Sequence, residues 1–260
     1  MISPSPVDFT IVIPTYNERD RIGLLLERVF DACDREGVAV EVIIVDDNSA
    51  DGTGAVADGW ALRRRVRVIH RAGKLGLGTA VLEGFAVAQA EIVGVMDGDL
   101  SHPPELLPGL FRTIADGNFD LVVASRYVPG GGTSNFPIGR WLLSRAGCWL
   151  ARPLTPVRDA MSGFFLIRRS QLDTFQTSVK GFKIGLELFV RSRPRRLAEV
   201  GYVFEGRSTG ESKMSVAEGT GFLCQLRSLY RDSLAAPTRR PACVTIVTAQ
   251  ERAASASLSV

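Results

Sequence analysis

Residues that can ligate a hard cation or hold a phosphate recur in this chain where hydrophobic runs end. Pro14-Thr15-Tyr16-Asn17-Glu18 follows the first run, Asp46-Asp47-Asn48-Ser49 the second, Asp97-Gly98-Asp99 the fourth and Ser125-Arg126-Tyr127 the fifth. Two carboxylates spaced as Asp97 and Asp99, leaving a buried run at a glycine, can bind Mg²⁺ or Mn²⁺ through oxygen, and such a cation can hold a diphosphate. The same three residues also fit a turn with helix-capping acids, so the motif alone leaves both readings open. Later in the chain, Arg207 and Lys213 stand in a Gly-containing polar loop. They suit either a mobile phosphate clamp or two solvated loop cations.

Competing phosphate chemistries lack their signatures. The first run leads into PTYNE rather than GxGxxG, and no GxxxxGK[ST] occurs. The histidines are His70 and His102, in no HExxH or triad-like setting; His102, beside Pro103, reads as a turn residue near the acidic loop. Cys33, Cys148, Cys224 and Cys243 form no CxxC pair, which argues against a zinc site or disulfide framework and for a reducing compartment. Net charge is +3, and the arginine clusters at 63–67, 191–196 and 239–240 read as solvated faces or local anion sites. Nucleic acid is not among the expected partners.

These groups must be positioned by regular elements. Periodicity places strands at Phe9–Pro14, Val40–Asp46, Val66–His70, Ile92–Met96 and Leu121–Ser125, with helices at Arg21–Glu36, Thr53–Arg64, Thr79–Ala90 and Pro104–Asp116 between them. Runs such as Val42-Ile43-Ile44-Val45 are apolar on both faces, which predicts a mostly parallel sheet with helices on both sides and ligands at the carboxyl ends of the strands. A strand at Gly163–Ile167, a helix at Lys183–Arg191, a strand at Leu197–Phe204 and a helix at Ser215–Leu234 complete the pattern. Asp159, Ser162 and Gly163 read as the turn before a strand, with a direct role for Asp159 left open. With 260 residues, 45% of them apolar, one α/β domain over 1–234 is expected, and 235–260 reads as a mostly disordered tail in which Val244–Val247 can add a short strand.

The segment Ile138–Leu154 interleaves Trp141, Leu142, Leu143, Trp149 and Leu150 with Arg140, Arg145 and Arg152. Such a helix suits a membrane interface, with the indoles at headgroup depth and the cations in water. An ordinary packed helix with a basic outer face fits the segment equally well. Phe222–Leu234 looks like a second interfacial helix. No apolar run approaches the roughly 20 residues of a membrane span, and Met1–Asp8 lacks the features of a signal peptide.

Taken together, IVIPTYNE, VDDNSADGT, GLGTA, MDGDLSHPP, SRYVPGGG, SGFFLIRR, GFKIGLE and RSTGESK resemble, in order and spacing over Phe9–Leu234, the family 2 glycosyltransferases of GT-A fold, and among them the dolichol-phosphate (polyprenol monophosphate) mannose synthases. The resemblance implies an inverting transfer of mannose from GDP-mannose to a polyprenyl phosphate with a divalent cation, Mg²⁺ or Mn²⁺. It implies that Pro14, Tyr16, Glu18, Val45 and Asp47 line the nucleotide pocket, Asp47 at the base or ribose. Asp97 and Asp99 would address metal and diphosphate around the Gly98 backbone. Asp99, Arg126, Arg207 and Lys213 would carry the chemistry, the three cations around the phosphates and the sugar, and Arg126, Arg140 and Ser144 would hold the acceptor phosphate. Residues 129–160 would form the acceptor segment and 215–234 a second surface helix. The sequence departs from the family pattern at Gly98, commonly Ala, and at Ser101, commonly Gln. Some relatives carry membrane-spanning helices after the catalytic domain; this chain shows none, which implies peripheral attachment to the cytoplasmic face of a membrane or a membrane-anchoring partner protein. The motifs do not encode donor choice, so a UDP-glucose-dependent glucosyltransferase is the alternative. A transferase with a soluble acceptor, a nucleotidyltransferase and a non-catalytic lipid-binding protein are more remote.

Overall fold

In the computed structural model, which describes residues 7–172, 183–206, 216–235 and 243–247, the expected alternation forms one large sheet with helices on both faces. Strands β1 (Phe9–Thr15), β2 (Val40–Asp46), β3 (Val66–His70), β4 (Ile92–Val95) and β5 (Leu121–Ser125) alternate with helices α1 (Arg19–Arg35), α2 (Thr53–Ala61), α3 (Leu77–Val87) and α4 (Leu107–Asp116). Then come β6 (Gly132–Ser134), α5 (Ile138–Ala151), β7 (Phe165–Arg168), α6 (Ile184–Arg191), β8 (Arg196–Gly201), β9 (Val203–Glu205), α7 (Val216–Ala235) and β10 (Cys243–Val247). The main sheet has eight strands in the order β10-β8-β5-β7-β4-β1-β2-β3. Every pairing in it is parallel except those of β7, which is antiparallel to β4 and β5.

The two-residue strand period sorts side chains between the faces. Phe9, Ile11, Ile13, Val42 and Ile44 pack with Ile22, Leu25 and Leu26 of α1 and Leu107 and Leu110 of α4. Val12, Ile43 and Val45 point the other way, onto Val81 and Phe85 of α3 and Ile184 and Leu188 of the α6 side. A third cluster joins Cys148 and Ala151 of α5, Leu186 and Val190 of α6, and Leu226 and Leu229 of α7. Helix α7 is further pinned by Gln225, which accepts the Lys183 N–H at 3.0 Å and donates to the Lys183 carbonyl at 2.9 Å. Tyr230 donates to the Leu150 carbonyl at 2.6 Å.

Two of the expected elements differ in the structure. The helix expected from Pro104 opens with a 3₁₀ turn over Pro104–Leu106 before α4. The strand expected over Leu197–Phe204 is two strands, broken at Tyr202: β8 runs in the main sheet, while β9 pairs with β6 in a separate two-stranded sheet. Gly201 permits the switch, since a Cβ there would collide with the backbone at Pro129–Gly131. The short strand allowed for in the tail is β10, parallel to β8 with Cys243 opposite Arg196. The remainder of the tail read as disordered lies outside the described residues.

Candidate active site

Because β1, β2, β4 and β5 all run in one direction, their carboxyl ends and the four polar clusters arrive at one edge of the sheet. Register sets Pro14 opposite Val45 and Thr15 opposite Asp46. Asp46 accepts hydrogen bonds from the hydroxyls of Thr15 at 3.0 Å and Ser49 at 2.6 Å, and Asn17 and Ser49 cross-link the two loops. Asp51 accepts the N–H of Arg19 and of Thr53, fixing the starts of α1 and α2. Hydrogen bonds to the carboxylate hold its pKa low despite the opposing effect of desolvation.

Asp47 is buried and doubly held: Arg71 pairs with one carboxylate oxygen, and the Gly76 N–H donates to the other at 3.0 Å. Arg71 also donates to Thr79 Oγ1 at 2.7 Å and has its Nε 3.1 Å from Glu83. The sequence reading passed over Arg71, because a single arginine at the end of a short strand carries no periodic or motif signal. Tyr16 is half-exposed, with Lys74 Nζ 3.9 Å from its ring centroid. Glu18 pairs with Arg21 at 2.9 Å. Val45 is fully buried in the core, so its side chain supports the strand end from beneath.

The acidic loop after β4 is tightly specified. Asp99 accepts the Ser101 N–H at 3.0 Å and also the Ser101 hydroxyl. Leu100 between them adopts φ 64°, the left-handed region that a bulky residue occupies only where its surroundings impose it. The Gly98 backbone lies close against β1: a Cβ there would stand 3.3 Å from Thr15 Cγ2 and 3.4 Å from the Pro14 carbonyl oxygen. His102 stands in a bend of this loop, as expected, but inside the protein. It is buried, stacked 5.0 Å from Phe164 with the edges of Tyr202 and Phe204 against it. Desolvation lowers its pKa, outweighing the pull of the Asp97 carboxylate. Its Nδ1 accepts the Asp97 N–H at 3.2 Å, which leaves Nε2 3.8 Å from Asp97 Oδ2.

Asp97 and Asp99 open onto a cavity of about 350 Å³ whose other walls include Arg126, Arg140 and Ser144. Apolar Phe136, Leu143, Met161 and Phe222 also line it, as do polar Ser101, His102, Ser162 and Lys183. Arg126 leaves β5 and is clamped by Asp159: Nε and Nη2 each donate to the carboxylate at 2.7 Å. The pairing raises its pKa despite burial, so it is a permanent cation. Asp159, read from the sequence as a turn residue, is fully buried. Its N–H and that of Arg158 donate to Glu199 of β8, whose carboxyl pKa is raised by desolvation against those hydrogen bonds.

The cavity thus joins Asp97, Asp99, Arg126, Arg140 and Ser144. Pro14, Tyr16, Glu18, Val45 and Asp47 stand along the same sheet edge but do not line it, and Gly98 lies beneath it. Arg207 and Lys213 fall outside the described residues. No group of three or more metal-ligating side chains occurs among the described residues. Two carboxylates, with Asp97 partly exposed, fit a cation that completes its shell with water and diphosphate oxygens rather than one caged by protein.

The family model for glycosyl transferase family 2 matches residues 10–175. A dolichol-phosphate mannosyltransferase of Saccharomyces cerevisiae is 38% identical over 86% of this chain and 87% of its own length. A polyprenol monophosphomannose synthase of Mycolicibacterium smegmatis is 40% identical over 79% and 80%. A dolichol-phosphate mannosyltransferase of Pyrococcus furiosus is 36% identical over 85% of this chain, which spans 62% of that protein's length. Among solved structures, a mannosyl-3-phosphoglycerate synthase from Rubrobacter xylanophilus superposes with TM-score 0.62 at 18% identity, covering 90% of this chain and 77% of its own. A mannosyltransferase from Pyrobaculum calidifontis in complex with GDP-Man and Mn²⁺ gives 0.57 at 17% identity, covering 92% and 67%. At these identities the structural likeness establishes the GT-A fold.

Proposed function

The chain belongs to glycosyl transferase family 2, and from that premise we propose that it transfers mannose from GDP-mannose to a polyprenyl phosphate at the cytoplasmic face of a membrane. The observation that carries this reading is one cavity lined together by Asp97 and Asp99, by Arg126, Arg140 and Ser144, and by apolar Leu143 of α5 and Phe222 of α7. A phosphate carried on a hydrocarbon chain needs cations and apolar surface within a few ångströms of each other. The named activities of the three curated relatives support the same acceptor and sugar.

In this reading Asp97 and Asp99 hold Mg²⁺ or Mn²⁺, which offsets negative charge on the departing nucleoside diphosphate. Asp47, fixed by Arg71 and Gly76, meets the base or ribose beside Pro14, Tyr16, Glu18 and the Val45 end of β2. Arg126, Arg140 and Ser144 orient the acceptor phosphate toward C1 of the sugar. That phosphate is ionised near neutral pH, so it attacks without a strong general base. Direct displacement inverts C1, and the chemistry differs from the paired acid and base or nucleophile of glycosidases. Arg207 and Lys213 add cations around the diphosphate and sugar.

The exposed side of α5 supports membrane attachment: Ile138, Leu142, Leu143 and Trp149 are exposed there, as is Leu223 of α7. Arg145 lies over the Tyr127 ring at 4.6 Å and near Trp141 at 6.0 Å, a basic and aromatic mixture suited to headgroups. No helix among the described residues is long and apolar enough to cross a membrane. The test supplies GDP-mannose and UDP-glucose in parallel, with Mg²⁺ or Mn²⁺ and a short polyprenyl phosphate in detergent. Lipid-linked mannose that disappears on chelation and in Asp99→Ala supports the reading; lipid-linked glucose alone replaces the donor assignment.

A further inference from the structure

Arg126 and Ser144 are useful to an anion only if their donors point into the cavity, and two residues outside the functional reading so far fix that direction. Asp159 has no solvent exposure. Its Oδ2 accepts both the Arg126 N–H at 2.9 Å and Arg126 Nε at 2.7 Å, and its Oδ1 accepts Arg126 Nη2 at 2.7 Å. Glu199 holds the Asp159 loop by accepting two successive N–H groups, from Arg158 at 2.9 Å and Asp159 at 3.2 Å. The carboxylate is therefore locked onto the Arg126 cation, while the backbone of its loop is tied to β8.

Ser144 receives the second set of contacts. Its Oγ accepts Arg126 Nη2 at 3.2 Å and the Tyr127 hydroxyl at 2.8 Å. A guanidinium has five N–H donors. Nε and both donors of Nη2 are taken by Asp159 and Ser144, which leaves the Nη1 pair without an acceptor among the described residues. A serine oxygen has two lone pairs. With both engaged, the Ser144 hydroxyl is left as a donor. Arg126 and Ser144 both line the cavity. The result is three remaining N–H and O–H donors on two cavity-lining residues, held by Asp159 and Tyr127, which do not line the cavity.

We propose that Asp159 and Tyr127 are positioning residues that aim the Arg126 and Ser144 donors at the acceptor phosphate, and that Asp159 is not a general base. The inference rests on the acceptor reading above. Engaged through both oxygens by a permanent cation, Asp159 has no role in removing a proton, and an already ionised phosphate asks for none.

Steady-state kinetics of Asp159→Asn and Tyr127→Phe, with lipid phosphate and sugar nucleotide varied separately, test the proposal. Charge-assisted and hydroxyl hydrogen bonds of this kind predict a rise in acceptor KM of about 3- to 10-fold for Tyr127→Phe and a fall in kcat/KM for lipid phosphate of about 100-fold or more for Asp159→Asn. Donor KM stays within about 2-fold, since the donor side keeps its contacts. The pH profile of kcat keeps its shape. Tyr127→Phe adds nothing when Ser144 is already Ala, because it acts through that hydroxyl. The proposal is overturned if Asp159→Asn removes the acidic limb of the pH profile, if donor and acceptor KM rise together, or if Tyr127→Phe and Ser144→Ala are additive. Should Asp159→Asn fail to fold, the Tyr127 and Ser144 cycle decides alone. Wild-type protein that ignores lipid phosphate sinks the acceptor reading itself, a separate outcome seen before any variant is made.

Discussion

Replacing Trp149 by Ser should release the enzyme from membranes without unfolding it. Trp149 sits on α5 at 74% exposure, in a row with Ile138 and Leu142, so its ring contributes little to the core. A tryptophan side chain presents up to about 250 Å². With roughly three-quarters of that free and about half of the free area entering the interface, ~90 Å² leaves water on docking, worth about 2 kcal/mol at ~25 cal/mol per Å². That corresponds to a fall in vesicle partitioning of roughly 30-fold. Sedimentation with phosphatidylcholine vesicles containing an anionic lipid measures it, alongside urea unfolding, which should be unchanged within about 0.5 kcal/mol. Equal partitioning of wild type and variant would refute the assignment of this face to the bilayer and return α5 to the reading of an ordinary helix with a basic surface.

Two further outcomes follow from buried charge and buried thiols. Arg126→Met strands the Asp159 carboxylate, which keeps only the Arg126 backbone N–H and the weak Cys148 thiol contact at 3.9 Å, so stability in urea should fall by about 3–5 kcal/mol, with transfer lost. Burial pushes the thiols of Cys33 and Cys148 up to about 12, so at pH 8 only about one in ten thousand is thiolate and both should resist a thiol reagent until the protein is denatured. Exposed Cys224 should react fastest and half-buried Cys243 more slowly, which mass spectrometry of the labelled peptides resolves.

How much of this could be read from the sequence depends on how local the cause is. Strands β1, β2 and β5 match their sequence boundaries to within a residue, because continuous apolar runs stop at polar clusters and burial on both faces leaves no competing period. The convergence of Asp97, Arg126, Arg140 and Ser144 on one cavity follows from parallel strands and from helix spacing, both legible in the sequence. What stayed hidden is set by residues far apart in the chain. Asp159 looks like a turn acid until β5 brings Arg126 beside it, 33 positions away. Arg71 finds Asp47 across 24 positions, and His102 owes its burial to Phe164, Tyr202 and Phe204. The break at Tyr202 is invisible in an apolar run because its cause is the Pro129–Gly131 backbone pressing on Gly201. Tail strand β10 carried only a short β-branched signal, and its partner β8 lies 47 residues earlier by register.

The solved neighbours of this fold include an enzyme named for a small phosphorylated acceptor, so acceptor choice separates the two activities on one fold. Incubation of the protein with GDP-mannose, Mn²⁺ and equal concentrations of a short polyprenyl phosphate and 3-phosphoglycerate, followed by organic extraction and quantitation of mannose in both phases, measures that choice directly. Mannose is expected in the lipid phase, in β linkage after inversion at C1, with the aqueous phase at background. Mannose on 3-phosphoglycerate with an empty lipid phase would contradict the proposed acceptor.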